Sequence, residues 1–350
     1  MKVFAETLEI QAKKALEACF ERASIYVDSM ENLVVSGVIN GVFLAKLATP
    51  TGKLELIVEV KSSGQPRIVR EAVGAFLMLK RAIPSAYGIV AAPYISAESA
   101  SILLAENVGF VDFAGNCRIN FGGVFIERSG QTASPKAKRE QRSLFTPKAS
   151  RVLRVLLENP KKKWRISELA KEAGVSLGQT FNVKKLLLDR EFVEVDDDGI
   201  VLKAPEMLLS GWAVAYVSGK NSRAYFSLKS PVEFEAELAS LCTRRKIAYA
   251  LTGFSAALRY APMVRSSRAA AYVSGNLDEI AEELGLKEVS SGANVLLEFP
   301  YDESVYYVAE EIDGMKVVSP IQAYLDLVGF RGRGDEAAQA IWERKIKTTW

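Results

Sequence analysis

The run LELIVEVKSSGQPR, residues 54–67, sets Glu59 and Lys61 two positions apart at the end of an apolar stretch. A strand repeats every two residues. Glu55, Ile57, Glu59 and Lys61 therefore share one face, and Leu54, Leu56, Val58 and Val60 share the other. The second face reads as core. The first ends in a carboxylate beside an ammonium, where SSGQPR breaks the strand. Such a pair can hold a divalent metal and steady the charge of an attacked phosphate. An ordinary ion pair on one face has the same spelling.

Composition narrows the chemistry. The chain of 350 residues has no histidine, which excludes Ser-His-Asp and Cys-His mechanisms and every His-ligated metal. Hydrolysis would have to rest on carboxylates, lysine and metal. Cys19, Cys117 and Cys242 are few, odd in number and far apart, so neither a disulfide framework nor a zinc cluster is implied. A reducing cytoplasm fits that usage. No apolar run reaches the roughly 18 residues of a membrane span. The start, MKVFAETLEIQAKKALEACFERAS, reads as a charged amphipathic helix, not a signal peptide, so no membrane partner is expected.

The net charge of +3 hides an asymmetry: residues 136–165 hold eleven Lys or Arg against Glu140 and Glu158, a local +9. Concentrated positive charge is the footprint of a phosphate-backbone contact. It leads into KASRVLRVLLENP, ISELAKEAG and LGQTFNVKKLLLDREF, three helical patterns, then EVDDDGIVLK, a hairpin around Asp-Gly. That is the order of a helix-turn-helix with an appended wing. On the third helix Phe181, Val183, Leu186, Leu187 and Phe192 are read as the inner face. Ser176, Gln179, Thr180, Asn182, Lys184 and Lys185 are left for a major groove, with Lys161, Lys162, Lys163 and Arg165 for phosphates.

On either side the chain alternates helical and strand patterns, which argues for α/β layering. SAESASILLAENVG is read as a helix capped by Ser96 and closed by Gly109. Asp112, Asn116 and Arg118, in DFAGNCR, form a second polar group, suited either to a capped turn or to a site. NVLLEFP and DESVYYVA read as strands. YALTGFS is a strand–Gly–x–Ser–helix turn, in which Thr252, Gly253 and Ser255 can cradle a phosphate. The next strand, RAAAYVSG, carries no paired carboxylates for magnesium, so no nucleotidyl transfer is expected.

VEVKSSGQPR, with VAAPYISAESASILLAENVGFVDFAGNCRINFGGVFIER, resembles the restriction-endonuclease-like, PD-(D/E)XK domain at the front of some bacterial regulators. YALTGFSAALRYAP, with VVSPIQAYLDL and GRGDEAAQAI, is similar to the antitoxin component of type IV abortive-infection toxin–antitoxin systems, the AbiEi family. The resemblance implies a multidomain α/β and α+β chain. Residues 1–132 would be restriction-endonuclease-like, 133–147 a basic linker, 148–210 a winged helix-turn-helix and 211–350 nucleotidyltransferase-like. It also implies Glu59 as a metal ligand and Lys61 as the water-orienting, charge-stabilising residue, with Gln65 and Arg67 beside them. The family pattern wants an acid on the preceding strand as well. GVINGVFLAKL offers none: Asn40 is the nearest polar substitute, and Glu17 or Glu21 could reach in from the first helix. The expectation is a DNA-binding regulator of antitoxin type whose nuclease-like fold is kept for binding. The alternative is a magnesium-dependent DNA endonuclease guided by its winged helix, and only that reading calls for a cofactor. Expected partners are double-stranded DNA, a cognate toxin and a second copy of the chain in a homodimer.

Overall fold

A computed structural model describes residues 2–23, 25–33, 41–49, 52–132, 143–217, 221–262, 268–328, 330 and 333–350. Asn40 and most of the basic linker, residues 133–142, lie outside them. The chain forms two compact units, residues 1–143 with 185–191, and residues 144–184 with 192–350.

The first unit begins with helix α1 (Lys2–Glu21) and continues β1 (Tyr26–Asn32), β2 (Val42–Thr49), β3 (Gly52–Val60), α2 (Pro66–Ala82), β4 (Tyr87–Ala92), α3 (Ala97–Ala105), β5 (Gly109–Asp112), β6 (Cys117–Phe121) and β7 (Val124–Arg128). Its seven strands lie side by side in chain order. β3, β4 and β5 run parallel, because α2 and α3 carry the chain back between them; the other neighbours are antiparallel. Both faces of the sheet are core. Leu16, Phe20, Phe43, Leu56, Val58 and Ile89 pack on the α1 side, and Ile57, Val69, Phe76, Val90 and Leu103 on the α2 and α3 side. Burial on both faces explains the continuous apolar spelling of β4, buried throughout.

The Ser96 hydroxyl caps α3, accepting from Ser99 N at 3.2 Å. Gly109 does not close that helix. Asn107 takes the left-handed conformation, at φ 53, and Gly109 is already in β5. Glycine is needed there for room: a Cβ would stand 2.8 Å from the Tyr87 ring and 3.1 Å from the Arg118 carbonyl.

The second unit opens with α4 (Pro147–Glu158), α5 (Ile166–Glu172), the start of α6 (Leu177–Asp189), and a hairpin of β8 (Val193–Asp196) and β9 (Gly199–Leu202). Asn159 ends α4, and Gly174, at φ 61, turns the chain after α5. α7 (Pro205–Ala215) leads to β10 (Ser222–Phe226), α8 (Pro231–Arg245), β11 (Tyr249–Leu251), α9 (Gly253–Tyr260), β12 (Ala269–Val273), α10 (Leu277–Glu283), β13 (Lys287–Glu288) and β14 (Val295–Glu298). The hairpin β15 (Glu310–Ile312) and β16 (Met315–Val317), then α11 (Pro320–Leu327) and α12 (Gly334–Ile341), follow, and helical turns at Trp342–Ile346 and Lys347–Thr349 complete it. The strands form a mixed sheet of order β13-β10-β14-β12-β11-β16-β15. DESVYYVA is not a strand: the Asp302 side chain accepts from Ser304 N at 2.9 Å and starts a short 3-10 turn at Glu303–Tyr306. Local capping there overrides the β preference of Val and Tyr.

α4 packs inside this unit through its own charged residues. Arg154 is buried, with its guanidinium 4.9 Å from the Trp212 ring centroid, and donates to Tyr301 Oη at 2.6 Å, Ser304 Oγ at 3.2 Å and Gln322 Oε1. Arg151 forks onto Asp302 at 2.9–3.0 Å. Two of the eleven basic residues of 136–165 are thus structural and face protein.

Candidate functional sites: a carboxylate–lysine pair, an exposed helix face and a buried polar cluster

Glu59 stands between Val42 and Val90 in register, on the α2 and α3 side of the sheet. Its side chain is buried, and Oε1 meets Lys61 Nζ at 2.6 Å. Oε2 is enclosed with no hydrogen-bond partner. Burial pushes the Glu59 carboxyl above its usual range, against the pull of the Lys61 charge. Gln65 ends up as the N-cap of α2 without a side-chain cap bond, and Arg67 is taken by Glu71 at 2.7 Å and Asp189 at 2.6 Å. Glu17 and Glu21 are exposed on α1, whose core residues pack on the opposite face of the sheet, so neither joins Glu59.

Asp112 ends β5 on the Glu59 side of the sheet, in register with Ala92. It is consumed by its own turn. Oδ1 accepts from Ala114 N at 3.0 Å and Asn116 N at 2.9 Å; Oδ2 accepts from Asn116 Nδ2 at 2.8 Å and Ile95 N at 3.3 Å. Burial raises its carboxyl in spite of these donors. Asn116 also clasps the Gln131 backbone, donating to its carbonyl at 3.0 Å and accepting from its N–H at 2.9 Å. Arg118 is elsewhere, paired with Glu127 at 3.2 Å. The three residues do not form one group.

Hard divalent cations take several oxygen ligands. Among the described residues no three metal-ligating side chains come together. Glu59 has one oxygen on Lys61, and both Asp112 oxygens are taken by backbone N–H groups and the Asn116 amide. These side chains do not fit a magnesium centre.

On α6 the buried stripe is Thr180, Val183 and Leu187, at i, i+3 and i+7, with Phe192 just beyond the helix. Two expectations change. Thr180 faces inward and satisfies its hydroxyl by donating to the Ser176 carbonyl at 3.1 Å, while Phe181, one residue round the helix, is 57% exposed. Ser176 caps the helix, accepting from Gln179 N at 3.2 Å. Asn182 and Lys185 are exposed, Gln179 and Lys184 half-exposed, with Lys184 Nζ 5.7 Å from the Phe181 ring centroid.

The basic run before α5 is only partly free. Lys163 is held by the wing carboxylates Asp196 at 2.6 Å and Asp198 at 3.5 Å, and the Asp196 hydrogen bond raises its pKa. Lys162 lies over the Trp164 ring, 3.6 Å from its centroid, and Lys161 donates to the Thr349 carbonyl at 3.3 Å. Arg165 is exposed at the head of α5. The wing is anchored from this run, because Trp164 and Ile200 exchange backbone hydrogen bonds of 2.8 and 2.9 Å.

In the C-terminal sheet Ser255 is structural. Its hydroxyl donates to Glu235 Oε1 at 2.5 Å and accepts from Ala270 N at 3.0 Å, while Arg259 holds Glu235 Oε2 at 2.8 Å. Thr252 turns from its helix to donate to Asp326 Oδ2 at 2.5 Å. Sequence reasoning overlooked Asp326. It is buried and also accepts from Tyr216 Oη at 2.7 Å, Tyr272 Oη at 2.8 Å and Gln322 Nε2 at 2.8 Å. Burial raises its carboxyl. Gln322 and Asp326 share a helix face four residues apart, a polar pair in an apolar helix that the spelling PIQAYLDL does contain. Thr252, Gly253 and Asp326 line a cavity of about 420 Å³ together with Glu298 and Arg268. Glu298 comes from β14, two strands from β11 in the sheet, so the sequence next to TGFS gives no sign of it.

Residues 201–347 match the family of transcriptional regulators described as AbiEi antitoxin, type IV toxin–antitoxin system. No curated protein and no solved structure matches the chain significantly.

Proposed function

We propose that the protein is a cytoplasmic DNA-binding transcriptional regulator, an antitoxin-type repressor of an abortive-infection toxin–antitoxin system. Residues 148–210 act as its winged helix-turn-helix, with α6 as the reading helix and β8–β9 as the wing. The carrying observation is the sequence of α5, a glycine turn, α6 and a hairpin. In it the inward stripe Thr180–Val183–Leu187 leaves Asn182 and Gln179 facing out. The family match over residues 201–347 supports the regulatory class and, through the family's description as an antitoxin, a cognate toxin as partner. In this reading residues 1–132 are a restriction-endonuclease-like fold kept for binding, and residues 211–350 a nucleotidyltransferase-like fold that transfers nothing. The engaged states of Glu59, Asp112 and Ser255 support both statements.

The test is fluorescence anisotropy with a duplex from upstream of the gene and a scrambled duplex, between 50 and 200 mM salt. Charge reversal of Lys161, Lys162 and Lys163 together should weaken binding to both duplexes. Each phosphate contact contributes about 0.9 to the salt slope. Lys163 is already neutralised by Asp196, so the slope should fall by roughly two contacts' worth, not three. Tight binding that ignores salt, or no binding to any duplex, would sink the proposal.

A further inference from the structure

Cys19, on the core face of α1, and Cys117, the first residue of β6, are 98 positions apart in sequence and meet at an Sγ–Sγ separation of 2.8 Å. Both are buried, at 2% and 1% exposure. Neither belongs to the residues assigned above to DNA. We infer that they form an oxidation site, at which a hydroperoxide converts the two thiols to a disulfide that ties α1 to the sheet.

The geometry is nearly that of the product. A disulfide bond is about 2.05 Å long, so the sulfurs need to close by less than about 1 Å. The two thiols are also unequal. Cys19 donates its S–H to Cys117, and that hydrogen bond lowers the Cys117 pKa against the cost of burial; Arg128 adds a favourable charge. Arg128 is placed to do so, opposite Cys117 in register and donating to the Cys19 carbonyl at 3.1 Å. Cys117 is therefore the nucleophile. Its thiolate attacks one peroxide oxygen, the O–O bond breaks, and Cys117 becomes a sulfenic acid as hydroxide leaves and takes up a proton. The Cys19 sulfur then attacks the sulfenic sulfur, loses its proton, and the S–O bond breaks to release water. The balance is two thiols and one hydrogen peroxide to one disulfide and two waters. Burial selects the oxidant: a small hydroperoxide can reach the pair, whereas a bulky disulfide such as oxidised glutathione cannot. Cys242, buried with its thiol pushed up to about 11 by desolvation, has no such neighbour and serves as an internal control.

The experiment uses the full-length reduced protein, treated with hydrogen peroxide, denatured, alkylated and mapped by mass spectrometry without reductant. The expected product is a linked pair of peptides containing Cys19 and Cys117, two hydrogens lighter, with Cys242 alkylated and dithiothreitol restoring all three thiols. A cross-link closing a loop near 100 residues should raise the unfolding midpoint of the first unit by roughly 5–15 °C. In Cys19→Ala the link is lost and Cys117 is trapped as a sulfenic acid by dimedone. The wild-type map stands by itself if that variant misfolds. Three alkylated cysteines after peroxide, Cys117 driven to sulfinic acid without a link, or a link through Cys242 would each overturn the inference.

Discussion

Lys61 and Glu59 are unequal partners: the lysine side chain keeps 18% of its surface in water and the glutamate 6%. Removing the lysine leaves a buried carboxylate with neither oxygen partnered, whereas Glu59→Gln leaves a partly solvated ammonium beside a neutral side chain that can still accept from it. Lys61→Ala should therefore cost about 2–4 kcal/mol of stability in the first unit and Glu59→Gln about 1 kcal/mol, measured by urea denaturation followed by circular dichroism. Neither the wild type nor the two variants should nick plasmid DNA in magnesium or manganese; nicking by the wild type that both changes abolish would restore the nuclease reading. The pair itself was legible, because a two-residue spacing at a strand end puts both groups on one face. Its state was not, since Glu59 Oε2 is enclosed by the fold without a partner, and Asp112 is engaged by Ile95 N and by an Asn116 that Gln131 holds, Ile95 and Gln131 both being remote in sequence.

At the scale of elements, α6 shows how far periodicity carries. Its first residue, Leu177, and the hairpin after it follow from local spelling. The facing of Thr180 and Phe181 does not. Polarity sends threonine outward and phenylalanine inward, yet helical geometry sets Thr180 in line with Val183 and Leu187 and leaves Phe181 about 100° away. In the proposed reading Asn182 and the half-exposed Gln179, with an apolar neighbour, meet base edges and a thymine methyl group. Asn182→Ala should cost about 1–3 kcal/mol on the specific duplex and little on the scrambled one, with the salt slope unchanged. Phe181→Ala should behave the same way if it meets a methyl group, and Thr180→Ala should lower thermal stability before it alters base preference. Equal losses on both duplexes for Asn182→Ala would place α6 outside the groove.

For the whole molecule, pH is the most informative variable, because a chain without histidine has no imidazole titrating between pH 5 and 8. Glu158, at the end of α4, fills that gap. Its Oε1 is enclosed without a partner, and desolvation pushes its carboxyl from 4.5 up to about 7, with Ser319 and the Arg154 charge opposing. The folded state thus binds this proton more tightly than the unfolded chain does. The contribution to stability is full below about pH 4.5 and is lost as pH rises through about 7. The difference corresponds to something on the order of 3 kcal/mol. Ser319 caps α11, the helix that carries Gln322 and Asp326, so the Glu158 carboxyl lies where α4 meets that helix. The four tryptophans, Trp164, Trp212, Trp342 and Trp350, all lie in the second unit, so their fluorescence follows that unit through a urea titration. Wild type should lose stability from about pH 5 to just above pH 7 and level off by pH 9. Glu158→Gln, neutral throughout, should flatten the profile, matching wild type at pH 5 within about 1 kcal/mol and exceeding it by about 2–3 kcal/mol at pH 9. Parallel profiles for the two proteins would show that Glu158 titrates as an ordinary solvated carboxylate, and that α4 is held through Arg154 and Arg151 with no penalty from its last residue.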